Sequence, residues 1–176
     1  MYRQEGDLAS AISSLQTAAA LAPKDPSPLV LLGEALEMSS RNAEAVEACR
    51  HALKLDPQNA DAMNGLAYVL AESGGSLSEA LDLARRAQEK NPGDPHFSDT
   101  LGWIYLKQHS NQNGAIVFRV LTEKYPENPT FRYHLAMALL ENGDRAAAKN
   151  ELKTALSKSH SAEVRQEIET ALDRAG

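Results

Sequence analysis

Five histidines (His51, His96, His109, His134 and His160), one cysteine (Cys49) and 24 carboxylates could carry acid–base, nucleophilic or metal-ligating chemistry in this chain of 176 residues. A metal site needs three or four such groups at fixed distances. Only His96 and His134 fall on matching faces of neighbouring repeats, and Asp99 is the only obvious third ligand. Histidines that are solvated or that contact a ligand are the simpler reading. Cys49 lies in a column of apolar residues on a helix, which suits a packed structural thiol better than a nucleophile. No strained GxSxG turn occurs, and Gly74-Gly75 lacks the following Lys-Ser/Thr that a phosphate loop requires. The expectation is therefore no catalytic residue, no enzyme activity, no metal and no cofactor. A single cysteine also excludes an internal disulfide framework.

The elements that must position these groups are helical. Hydrophobic residues make up 43% and charged residues 24%, so the chain has enough apolar material for a core. Aromatics are only 5% while Ala and Leu abound, a composition for close-packed helices. The net charge of -6 argues against a phosphate-binding surface and against nucleic acid as partner. Arg85, Arg86 and Lys90 form a small basic cluster, but Asp82 and Glu89 stand at helical spacing to pair with it. No apolar run approaches the roughly 18–20 residues of a membrane span, so no direct membrane insertion is expected. The opening MYRQEGDLAS has no apolar core of an export signal. The compartment is left open, cytoplasmic or periplasmic.

An internal period organises the chain. Pro23, Pro57, Pro92 and Pro126 are spaced 34, 35 and 34 residues, and His160 stands at the next step of 34. Ala11, Ala45, Ala80, Gly114 and Ala148 repeat the same intervals, as do Gly33, Ala67, Gly102 and Ala136. Three columns share one period and one slip, which one inserted residue within Glu72–Ser76 explains. Each period holds two apolar stripes. Leu29, Leu32, Gly33 and Leu36 follow i, i+3, i+4, i+7, and Ala45, Cys49, Ala52 and Leu53 follow i, i+4, i+7, i+8. Proline after the second stripe stops its helix. The two small columns are expected to face each other, letting paired helices approach closely.

The period of 34, the Leu-Gly pair, the alanine columns and the closing proline resemble the tetratricopeptide repeat (TPR), with Leu101-Gly102, Tyr105, Phe118 and Pro126 at pattern positions. Gly114, Leu121 and His160 depart from the pattern, and Leu29, Met63, Ser98 and Arg132 stand where a tryptophan is usual. The resemblance implies an all-α, right-handed superhelical solenoid of antiparallel helix pairs, one domain over 1–176. Full repeats are expected over 26–59, 60–94, 95–128 and 129–160. Residues 1–25 match a half repeat with an inter-helix turn at Gly6-Asp7 and a helix over 7–21, so that Ile12, Leu15 and Ala18 lose a covering helix. Residues 161–176 are expected to form a capping helix, with Val164, Ile168, Ala171 and Leu172 inward. The chain reads as a piece of a longer array, sticky at its N-terminal half repeat and prone to homo-association there.

The resemblance further implies a concave groove lined by first helices. Carried over residue by residue, it is lined by Val30, Glu34, Asn64, Tyr68, His96, Asp99, Trp103, Tyr133, His134 and Met137, with Thr100, Leu106, Lys107, Thr130 and Leu140 nearby. Asn64 and Asp99 are placed to hydrogen-bond a ligand backbone, and the aromatics to anchor it. Family members that grip a C-terminal carboxylate use Lys, Asn and Arg on successive first helices. The matching positions here, in either register, hold no Lys or Arg. With Glu34, Glu37, Glu72, Asp99 and Glu141 the groove is acidic on balance, which favours a protein or peptide ligand bearing Lys or Arg beside an apolar anchor. The expected function is a non-catalytic scaffold or adaptor that binds a peptide in the groove. The alternative is a structural spacer or self-assembly segment of a larger protein.

Overall fold

The computed structural model describes the backbone of residues 2–176, and their side chains apart from residues 2–6 and 163. The described residues form ten helices and no strand: α1 (Tyr2–Leu21), α2 (Ser27–Met38), α3 (Asn42–Leu55), α4 (Ala60–Glu72), α5 (Leu77–Lys90), α6 (Pro95–Lys107), α7 (Asn111–Lys124), α8 (Pro129–Glu141), α9 (Arg145–Lys158) and α10 (Ala162–Ala175). They fall into two compact units, Met1–Gly93 and Asp94–Gly176. The expected all-α repeat of helix pairs is what forms.

The punctuation explains the period. Pro23, Pro57, Pro92 and Pro126 each sit two residues beyond the helix they close, and His160 stands in the same place after α9. Side-chain caps start α4, α5, α6, α8, α9 and α10, whereas α2, α3 and α7 begin without one. Asn59 Oδ1 accepts from Ala62 N at 2.8 Å, Asp94 from His96 N at 2.8 Å and Asn128 from Thr130 N at 2.9 Å. Pro95 and Pro129 follow their caps at the first helical position, where the missing N–H costs nothing. The turn inside each pair needs one residue in the left-handed region. Ser40, Gly74, His109 and Gly143 supply it, at φ 58°, 72°, 58° and 83°. Their spacings of 34, 35 and 34 repeat the sequence period, so the inserted residue falls after Gly74. After it, Gly75 N donates to Leu70 O at 2.8 Å, closing α4.

In the first unit α2 packs on α3 and α4 on α5, while α1 covers α2. Leu29, Leu32, Leu36, Ala45, Ala52 and Ala62 build its core. The small columns do meet. A Cβ on Gly33 would lie 2.6 Å from Cys49 Sγ and 3.6 Å from Ala45 O. In the second unit α6 pairs with α7 and α8 with α9, and α10 lies on α9 and α8. Here Gly114 meets Gly102 directly, its would-be Cβ 3.1 Å from Gly102 O. Phe118, Leu135, Leu152 and Ile168 centre that core. Helix α10 turns Ile168, Ala171 and Ala175 inward, with Val164 and Leu172 half-buried beside them.

Three expectations change. Gly6-Asp7 is not a turn: α1 runs through it without a break. Ile12 is not left open: it is 4% exposed, because α1 lies along α2 and Ile12 joins that core, while Leu15 and Ala18 are half-buried. Val30, expected to line the groove, is a core residue of the first unit.

Candidate functional site

In the second unit the first helices α6 and α8 bring Asp99, Trp103, Tyr133 and His134 together. Their caps and prolines fix where each helix begins, and therefore which way Asp99, Trp103, Tyr133, His134 and Met137 project. His134 Nδ1–H donates to Asp99 Oδ1 at 2.7 Å, across the joint between α6 and α8. The imidazole stands 4.8 Å from the Trp103 ring, 5.7 Å from Tyr133 and 5.4 Å from Phe118, centroid to centroid. Lys107 Nζ lies 5.1 Å from the Trp103 centroid, one helical turn on from it. Trp103, Tyr133 and Met137 are half-buried: their inner edges pack on the core and the rest reaches solvent. His96, by contrast, is exposed at the first turn of α6. Asp99 hydrogen-bonds His134 rather than standing open. Among the described residues no three His, Cys, Asp or Glu side chains gather as a metal site.

The sequence reading missed part of this face. Gln166, Glu167, Thr170 and Arg174 of α10 join Tyr133 and Ala171 around a cavity of about 370 Å³. Burial raises the Tyr133 phenol's pKa, and Glu167 adds to the rise against Arg174. The signal was present: Ile168 and Ala171 mark the buried stripe, so 167, 170 and 174 stand one turn apart at its edge.

The first unit offers a different face on α2 and α4. Glu34 is exposed there, and Asn64 and Tyr68 are half-buried. Partial desolvation against the helix surface raises the pKa of Glu34, with Asp61 adding to it, and that of the half-buried Glu37, with Glu72 adding to it. Two like-charged neighbours on adjacent first helices thus disfavour ionisation. Asn64 Oδ1 is buried with no hydrogen-bond partner, so it is turned into the helix packing. Cys49, beneath this face, is 1% exposed, and burial first, then Glu34, pushes its thiol up to about 11. It is a packed thiol, as the column suggested. On the outer side of α5 Arg86 pairs with Asp82 at 3.4 Å, the expected i,i+4 neutralisation.

Of the residues expected to be partly exposed along α1, Leu15 and Ala18 are half-buried and Ile12 is buried, and larger apolar exposure lies at Leu21 and on α2. Leu21, Leu31 and Met38 are 81%, 50% and 67% exposed. Leu8, Ala9, Ile12 and Met38 line a cavity of about 360 Å³ with Ser39, Ser40 and Arg41. No helix among the described residues is long and apolar enough to cross a membrane.

The chain is similar to TPR repeat-containing protein PA4667 of Pseudomonas aeruginosa, at 29% identity over 106 residues. That match takes in 60% of this chain and 18% of the Pseudomonas protein, so the chain spans less than a fifth of that relative. Among solved structures it is similar to TTC0263, a thermophilic TPR protein of Thermus thermophilus. The TM-score is 0.81 at 18% identity, covering 97% of this chain and 93% of that one. It is also similar to YrrB, described as a TPR protein with an unusual peptide-binding site. There the TM-score is 0.67 at 18% identity, over 96% of this chain and 86% of that one. These structural likenesses show the fold. The tetratricopeptide repeat family model matches residues 1–161, the span over which the helix pairs, the closing prolines and the facing small columns recur, and the chain belongs to that family.

Proposed function

We propose that this chain is a non-catalytic interaction module whose first-helix faces bind a peptide segment of a partner protein. TPR scaffolds are in general interaction modules. One observation carries the finer reading: Trp103, the only tryptophan, stands half-buried on α6 with His134 and Lys107 against its ring and Tyr133 next to His134. A ring that is half wet and half packed offers a large rigid contact surface at small entropic cost. The face of α6, α8 and α10 suits an apolar anchor. The face of α2 and α4, where Glu34, Glu37, Asp61 and Glu72 repel one another, suits a segment with Lys or Arg, since a bound cation relieves that repulsion. YrrB, by its description, has a peptide-binding site on the same fold.

The test is selection of peptides from a displayed random library, followed by titration against the parent chain and Trp103→Ala. Loss of about 1–2 kcal/mol of affinity with unchanged far-UV circular dichroism is expected. Trp103→Phe serves if the alanine variant unfolds. Failure to enrich any peptide, or equal binding by the variants, rules this reading out.

A second reading has its own observation. Leu21 at the end of α1 and Leu31 and Met38 on α2 leave apolar surface exposed, which favours homo-association at the N-terminal end of the array or a spacer role in a larger protein. Sedimentation of the parent chain beside Leu31→Glu/Met38→Glu decides it. A dimer that the double variant abolishes supports self-assembly, and a monomer at all concentrations excludes self-assembly and leaves the spacer role.

A further inference from the structure

Resting on the reading of Trp103 as the anchor, we infer that Asp99 and His134 are positioning residues: their hydrogen bond fixes the imidazole as a wedge that sets the orientation of the Trp103 indole. Neither touches the bound peptide.

The geometry supplies each step. Asp99 and His134 sit on successive first helices and meet at 2.7 Å, with their side chains only 18% and 15% exposed. The second side-chain torsion of histidine is broad and roughly two-fold, so by itself it does not define a ring plane. The Nδ1–H donated to Asp99 removes that freedom. The fixed ring then bridges Trp103 at 4.8 Å and Phe118 at 5.4 Å. Phe118 is fully buried and part of the core, so the wedge ties a half-wet indole to an immobile wall. The planes of Trp103 and His134 are inclined by only 35°, which makes the indole tilt follow the imidazole plane. Lys107, four residues on from Trp103, holds the indole from along its own helix. Removing the Asp99 carboxylate should therefore loosen the indole while leaving the helices in place.

Because Trp103 is the only tryptophan, its near-ultraviolet circular dichroism and its quenching by acrylamide report on this ring alone. Both are read on the whole chain without ligand, for the parent, Asp99→Ala and Asp99→Asn. Asparagine keeps an oxygen that accepts from His134, whereas alanine does not. The expected result is loss of most of the tryptophan band and stronger quenching in Asp99→Ala, recovery toward the parent in Asp99→Asn, and equal far-ultraviolet helix signal throughout. If Asp99→Ala unfolds, His134→Gln removes the wedge while keeping a donor toward Asp99, and must lose the same band. A tryptophan band unchanged in Asp99→Ala, or equally lost in Asp99→Asn, overturns the inference.

With a library-selected peptide, Asp99→Ala should weaken binding about tenfold in the parent and not at all in a Trp103→Ala background. An equal loss in both backgrounds would make Asp99 a direct contact and overturn the positioning role. Should no peptide bind, the peptide reading fails, while the unliganded spectra still decide whether Asp99 and His134 hold the indole.

Discussion

Gly33 and Cys49 should show strong, sign-changing coupling. A Cβ added at Gly33 would lie 2.6 Å from Cys49 Sγ, about 1 Å inside the usual contact distance of about 3.5–4.0 Å. The next atoms, Ala45 O at 3.6 Å and Cys49 N at 3.9 Å, are ordinary contacts. The sulfur has little room to retreat, since Cys49 is 1% exposed. Overpacking of this kind costs about 1–3 kcal/mol, while replacing a helical glycine by alanine contributes about 1 kcal/mol in favour. Gly33→Ala alone should therefore lose up to about 2 kcal/mol. Cys49→Ala alone removes one buried atom and should cost about 1 kcal/mol. In the double variant the clashing atom is gone, and Gly33→Ala should become stabilising by about 1 kcal/mol. Urea unfolding of the four proteins, followed by far-ultraviolet circular dichroism with hydrogen exchange to locate the change on α2 and α3, measures the cycle. Additivity within about 0.5 kcal/mol would refute the claim that Cys49 Sγ is what keeps a glycine at position 33.

Three further outcomes follow from the same packing. The Cys49 thiol is pushed up from 9.0 to about 11 by burial. Both states hold a neutral thiol below pH 9, and above it the unfolded chain ionises first. Stability should thus fall by about 2–3 kcal/mol between pH 9 and 11, a component that Cys49→Ala removes, with chemical unfolding at fixed pH as the measurement. Ser40 and His109 adopt φ 58° without being glycine, so Ser40→Gly and His109→Gly should each raise stability by up to about 1 kcal/mol in thermal unfolding, against the usual penalty for added glycine. Glu34 and Glu37 have carboxyl pKa values raised above the usual 4.5 by partial desolvation and by their neighbours Asp61 and Glu72. The contribution of a raised group is full at low pH and lost as pH climbs through the folded value, so Glu34→Gln and Glu37→Gln should raise the thermal midpoint at pH 7 and flatten its dependence above pH 4.5.

Much of this architecture is local in origin, which is why it was legible. A closing proline, a small residue on each face of a pair and an apolar stripe at helical spacing act over a few residues, and they return with every repeat. Even the misfit residue His160 stands where the prolines stand, because the helix before it ends at the same step. The errors fall where the repeat context is incomplete. Gly6-Asp7 matched a turn by analogy with the later repeats, yet α1 continues through both residues. Ile12 lacks the helix that would precede it in a full repeat, but α2 covers it.

The site was legible only as a roster of positions. Periodicity placed Asp99, Trp103, Tyr133 and His134 on first helices because 3.6 residues per turn fixes which side chains share a face. It did not indicate that Asp99 bonds His134, nor that Gln166, Glu167, Thr170 and Arg174 of the capping helix border Tyr133. By itself the sequence determined the helix pairs, their period, the single slip and the character of Cys49, since each follows from local sterics and burial. Tertiary structure alone decided which polar groups found partners, how far the indole is covered and which carboxylates repel one another. Those depend on distances across the joints between helices, where a shift of about one ångström separates a hydrogen bond from none.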